Sequence, residues 1–163
     1  MFTLHCTQKL RDRLNRPLAS AVPPASTALG DWYATVLFWK PQLALLVNER
    51  TLLPALLPLA PAINLPERIG PELRRVFGAH GIDPAFVDRE VAAMAEVVVA
   101  KTDNRRVVGT MSEFAFEAES YRELGDTADL VGLAMRLAET PCGAIGYNSP
   151  DRLLREIVAR TAH

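Results

Sequence analysis

The sequence predicts an α+β fold: a small antiparallel sheet from the N-terminal third, packed against a layer of about five helices. Apolar residues alternate or run in short blocks through the first third of the chain, as they do in strands. Further along they recur at three- and four-residue intervals, as on one face of a helix. The length of 163 residues, with 49% hydrophobic and 23% charged side chains, suits one compact unit. Such a chain buries roughly two-thirds of its unfolded surface, so residues 1–163 are read as a single domain.

Each element has its own local signal. Phe2-Thr3-Leu4-His5-Cys6 alternates and reads as a strand. Thr7 then caps a helix over residues 8–15, with Leu10 and Leu14 on one side. Residues 16–30 are rich in Pro, Ser and Ala without periodicity and read as a flexible loop. From Asp31 as cap, Trp32, Val36 and Trp39 share a helical face, so 31–39 is read as a helix that Lys40-Pro41 ends. A strand buried on both faces fits the same run.

Residues 43–47 and 52–59 form a hairpin around the turn Asn48-Glu49-Arg50-Thr51. Pro54 and Pro58 have the same parity, which suits an edge strand whose missing N–H groups face away from the ladder. Gly70-Pro71 opens a helix carrying Leu73, Val76 and Phe77. Asp83-Pro84 restarts one whose stripe runs Val87, Val91, Met94, Val98. After a break over residues 101–111, Ser112 caps a helix with Met111 and Phe116 as staple. Asp126 or Thr127 opens the next, with Leu130, Leu133, Ala134 and Leu137. Ser149-Pro150 opens the last, with Leu153, Leu154, Ile157 and Val158.

Composition narrows the function classes. Eighteen basic and nineteen acidic residues leave a net charge of −1, so no global field draws in nucleic acid or an anionic membrane. Two cysteines and three histidines exclude a disulfide scaffold and a four-cysteine zinc site, and no metal or cofactor is expected. The apolar stretch over residues 43–65 is broken by Asn48-Glu49-Arg50 and three prolines, and the N-terminal segment is charged from Lys9. Neither reads as a membrane span or signal peptide, and the cytoplasm is the expected compartment.

The most site-like segment is 101–106. Lys101, Arg105 and Arg106 with Thr102 and Asn104 could fork onto a phosphate or carboxylate, and a solvated interhelical loop accounts for the same residues. Asn48, Glu49 and Arg50 at the hairpin tip are a second candidate, with turn formation as the plainer role. Lys9 lies near His5 and Cys6. His5 cannot serve Cys6, because strand neighbours point to opposite faces, and both Cys6 and Cys142 read as buried thiols. The acids at 113, 117, 119 and 123 read as a solvated helix face, and the aromatics at 32, 33, 38 and 39 as core rather than a stacking platform.

The ordered set His5-Cys6-Thr7-Gln8-Lys9-Leu10, Gly30-Asp31-Trp32-Tyr33-Ala34, Val47-Asn48-Glu49-Arg50-Thr51-Leu52, Lys101-Thr102-Asp103-Asn104-Arg105, Gly109-Thr110-Met111-Ser112 and Glu139-Thr140-Pro141-Cys142 spans nearly the whole chain. It resembles a family of short bacterial proteins known as a domain of unknown function. That resemblance implies a bacterial cytosolic protein and supplies no catalytic residues.

Three functions are carried forward. The first is a non-catalytic binding or regulatory module using 101–106 for an anionic ligand, a nucleic acid or a protein partner. The second is a small enzyme on a phosphorylated or carboxylated substrate, with Arg105 and Lys101 as clamp and Glu49 or Cys6 as reacting group. The third is a homo-oligomeric structural protein, suggested by the apolar excess over residues 32–65. Convergence of the 5–9, 48–51 and 101–106 segments in one pocket would favour a site over plain loops, and Glu49 and Arg105 on opposite faces would remove the enzyme reading.

Overall fold

A computed structural model of the chain describes residues 1–125 and 129–161. Among these, five strands form one mixed sheet in the order β4-β3-β2-β1-β5. The strands are β1 (Phe2–Cys6), β2 (Trp32–Leu37), β3 (Leu43–Asn48), β4 (Pro54–Pro58) and β5 (Val97–Lys101). The helices are α1 (Gln8–Leu14), α2 (Leu65–Ala79), α3 (Pro84–Ala93), α4 (Arg105–Glu123), α5 (Leu130–Ala138) and α6 (Pro150–Thr161). The fold is therefore α+β, but the sheet is not purely antiparallel and does not come wholly from the N-terminal third. β1 runs parallel to both β2 and β5, while β2–β3 and β3–β4 are antiparallel.

Two elements overturn the sequence reading. Residues 32–37 are a strand, not a helix. The strand lies inside a sheet covered on both faces, so nearly every side chain is buried and the alternation that marks a one-sided strand is missing. The helical stripe through Val98 also stops early: α3 ends at Ala93, and Val97-Val98-Val99 joins β5 beside β1. A β-branched run packs well on a pleated surface, and its spacing had coincided with the preceding helix.

Two helix starts move as well. α2 begins at Leu65 with Pro66 in its first turn, so Pro71 lies inside it. α4 begins at Arg105, seven residues before the expected Ser112 cap. The Asn104 side chain caps it, accepting from the backbone N–H groups of Arg106 (3.0 Å) and Val107 (3.4 Å). Gly109 is then a helical residue, and Phe116 is exposed rather than stapled to Met111. The expected caps Asp126 and Thr127 of α5 lie outside the described residues; Asp129 supplies a cap there, accepting from Val131 N–H at 3.0 Å. The hairpin, the Asp83-Pro84 start of α3 and the Pro150 start of α6 stand where the sequence places them, and β4 with its two prolines is an edge strand.

Helices cover both faces, in place of a single layer. One apolar cluster joins Phe2, Leu4, Trp32 and Leu46 to Leu10 and Leu14 of α1 and to Ile69 and Phe77 of α2. The other joins Tyr33, Leu45, Val47 and Leu56 to Val107, Met111 and Phe114 of α4 and to Leu133 and Leu137 of α5. Much of the apolar excess of 32–65 is thus interior. Residues 16–30 contain no strand or helix, yet they are tied at several points. Ala19 N–H donates to the Val99 carbonyl at 2.8 Å on the free side of β5. The buried Glu90 carboxylate accepts from Ala28 and Leu29 N–H at 2.7 and 3.0 Å.

Parallel neighbours β1 and β5 lead into helices on opposite faces, α1 into the first cluster and α4 into the second. Such a divergence opens a crevice beyond the carboxyl ends of the two strands, the usual ligand position in sheets of this kind.

Candidate functional site: a mixed-charge cleft beside His5

That crevice holds an open cleft of about 500 Å³ lined by His5, Val22, Asp31, Tyr33, Glu49, Asp103, Asn104, Arg105 and Arg106. Strand register assembles it. His5 of β1 is paired with Tyr33 of β2 and with Ala100 of β5, and Tyr33 is paired with Val47 of β3. Side by side on one face, the His5 and Tyr33 rings stack with centroids 4.5 Å apart and planes 16° from parallel.

His5 is 2% exposed, and both of its ring nitrogens face acceptors. Nε2 lies 3.1 Å from Asp31 Oδ2 and Nδ1 lies 3.0 Å from the Lys101 carbonyl, with Asp103 Oδ1 at 3.8 Å. A neutral imidazole has one N–H, so only the imidazolium satisfies both contacts. Burial alone would lower the His5 pKa. The Asp31 hydrogen bond, the Lys101 carbonyl and the charges of Asp31 and Asp103 outweigh it, and the pKa stands above its ordinary 6.5. Asp31 is held in turn, its Oδ1 accepting from Thr3 N–H at 2.9 Å.

Tyr33 donates its hydroxyl to Asp103 Oδ1 at 2.5 Å. Burial and that carboxylate push its pKa well above the usual phenol range, so it stays a donor. Glu49 Oε1 accepts from Asp31 N–H at 3.0 Å. Gly30, at φ +73°, makes this approach possible: a Cβ there would sit 2.4 Å from Glu49 Oε1. Arg106 donates to the Ala144 carbonyl at 3.1 Å, whereas the Arg105 side chain has no hydrogen bond or ion pair among the described residues.

Of the sequence candidates, Glu49, Asn104, Arg105 and Arg106 line the cleft together. Asn48 is fully buried and organises the turn, accepting at Oδ1 from the N–H groups of Arg50 and Thr51 and donating to the carbonyls of Leu29 and Asp31. Arg50 donates to the Ala28 carbonyl at 2.6 Å. Lys101 contributes its carbonyl to His5 while its side chain is exposed, and Thr102 lies just beyond β5. Lys9 sits on α1 with its ammonium 5.7 Å above the Phe38 ring. Neither Lys9, Asn48, Arg50, Lys101 nor Thr102 lines the cleft. Cys6 and Cys142 are buried free thiols, and burial raises their pKa values to about 12 and about 11, far from a thiolate nucleophile. No cluster of metal-ligating side chains occurs among the described residues.

Sequence reasoning missed His5, Asp31, Tyr33 and Asp103 as members of one site. Reading 31–39 as a helix made Asp31 a cap and hid its parity with Tyr33. As a strand, residues 31 and 33 share a face and lie beside β1, whose residues 3 and 5 share one as well.

Residues 3–153 match the family described as a domain of unknown function, DUF6933. The chain belongs to that family. The DUF6933 match runs from β1 into α6 and encloses every residue that lines the cleft. No curated protein and no solved structure matches the chain.

Proposed function

We propose that this protein is a non-catalytic binding or regulatory module of the bacterial cytoplasm, a single domain whose cleft takes a small anionic ligand. The observation that carries this reading is the convergence of His5, Glu49 and Asn104–Arg106, drawn from segments far apart in sequence, at the point where β1 and β5 diverge. Arg105 and Arg106 extend from the first turn of α4, where the helix dipole adds to their attraction for a carboxylate or phosphate. His5 adds positive charge to the same lining, and the Tyr33 hydroxyl there is already committed to Asp103. The three acids in the same lining and the net charge of −1 disfavour a long polyanion, so a small ligand fits better than a nucleic acid. The bacterial cytoplasm is supported by the family resemblance and by two unpaired, buried cysteines.

Calorimetric titration with inorganic phosphate and with acetate tests the reading. Saturable binding is expected, weakened about ten-fold or more in Arg105→Ala at unchanged melting temperature. No saturable binding of either anion, or binding indifferent to Arg105→Ala, would overturn it.

One observation favours a second reading, the small enzyme: Glu49 and Arg105 line the same cleft. His5 is a poor base there, because both its nitrogens are committed. Glu49 would have to take the proton, and Glu49→Gln would then abolish turnover without weakening anion binding.

A further inference from the structure

The cleft contains unsatisfied charge of both signs. Asp31 is committed internally, with both oxygens bonded to Thr3 and His5. Glu49 uses one oxygen toward the backbone and Asp103 one toward Tyr33; the second oxygen of each accepts no hydrogen bond among the described residues. Asp103 is 69% exposed at its side chain. Glu49 and Asp103 both line the cleft with Tyr33, whose hydroxyl is bonded to Asp103. Arg105 lines the same hollow without pairing with either of them, and Arg106 is anchored by one nitrogen only.

From this distribution we infer that the ligand class is dipolar: a small molecule bearing a carboxylate or phosphate for Arg105 and Arg106, and an ammonium for Glu49 and Asp103. The inference rests on the anion-binding reading and sharpens it. A simple anion gains from the arginines and is repelled by the two carboxylates; a simple cation meets the reverse. Only a ligand carrying both charges gains at both places, and like-charge repulsion then weakens the binding of monofunctional competitors without abolishing it. An aminocarboxylate and an aminoalkyl phosphate share this chemistry.

Titration of the full chain with five probes separates the possibilities: acetate, inorganic phosphate, methylammonium, 4-aminobutyrate and phosphoethanolamine. At least one dipolar probe is expected to bind about ten-fold tighter than acetate, phosphate or methylammonium. The double variant Glu49→Gln/Asp103→Asn keeps the acceptors for Asp31 N–H and the Tyr33 hydroxyl but removes both charges. It should erase the dipolar advantage and leave phosphate binding equal or stronger, with Arg105→Ala weakening every anion-bearing probe. Acetate or phosphate binding as tightly as the dipolar probes would overturn the dipolar class while leaving anion binding intact. A dipolar advantage that survives the double variant would overturn it too, as would tightest binding by methylammonium. Failure of all five probes would overturn both readings.

Discussion

At the residue scale, His5 is the hinge of the account, because one buried ring ties three strands together through acceptors on β5 and just before β2. Its pKa is raised on folding, so its contribution to stability is fully present below 6.5 and is lost as pH rises through the folded value. His80 works oppositely. It is buried with both ring nitrogens unpartnered among the described residues, and burial followed by the Arg155 charge lowers its pKa, with Asp151 opposing. It therefore costs stability as pH falls below 6.5. Denaturation of His5→Gln should show its largest deficit near about pH 5.5 and a shrinking one toward about pH 8.5, whereas His80→Phe should gain relative to wild type as pH falls. Nuclear magnetic resonance titration of the His5 ring gives an independent check: its pKa should lie above 6.5 in the wild type and fall in Asp31→Asn. A His5 pKa below 6.5 in the wild type would remove the imidazolium from the site.

At the element scale, α4 aims the arginines and Asn104 sets where α4 starts. Asn104→Ala should cost about 1 kcal/mol by denaturation, with Asn104→Asp recovering most of it. Because Arg105 and Arg106 immediately follow the cap, the same variant should weaken anion binding more than its stability loss alone explains. The connection over residues 16–30 depends on Glu90, whose carboxylate is buried against the Ala28 and Leu29 N–H groups. Burial raises the Glu90 pKa despite those donors and the Arg50 charge. Glu90→Ala leaves the buried Leu29 N–H and the part-buried Ala28 N–H without an acceptor and should cost about 2 kcal/mol, with faster amide hydrogen exchange at Ala28 and Leu29 as its local signature.

The elements also show what the sequence made legible. Chemistry local to a few residues was readable: the β1 alternation, the hairpin turn, Asp83-Pro84 and the two same-parity prolines of an edge strand. Where tertiary burial erased the pattern, reading failed. Trp32–Leu37 loses its alternation because helices cover both faces, and Val97–Lys101 is recognisable as a strand only once β1 lies beside it. The site followed the same division. Glu49, Asn104, Arg105 and Arg106 announced themselves as clustered polar residues in turns. His5, Asp31 and Tyr33 belong to the cleft through strand register, which no spacing along the chain reveals.

At the scale of the whole molecule, two-sided coverage of the sheet distinguishes the observed fold from the single-layer expectation. Leu45 and Leu46 are adjacent, point to opposite faces and are both fully buried, one in each cluster. Leu45→Ala and Leu46→Ala should each cost about 2–5 kcal/mol; a tolerant site at either would mean that one face is open. Covering both faces also leaves the carboxyl ends of β1 and β5 as the place where the backbone parts, so the cleft follows from the topology rather than from a surface loop. Among the described residues no helix is long and apolar enough to cross a membrane.

The most direct measurement is a residue-resolved nuclear magnetic resonance titration of the full chain with phosphoethanolamine, followed in parallel on Arg105→Ala. Saturable shifts concentrated at His5, Tyr33, Glu49 and Asp103–Arg106, and lost in the variant, are the expected result. Shifts centred elsewhere on the molecule, or saturation that Arg105→Ala leaves unchanged, would contradict the assignment of the β1–β5 cleft as the binding site.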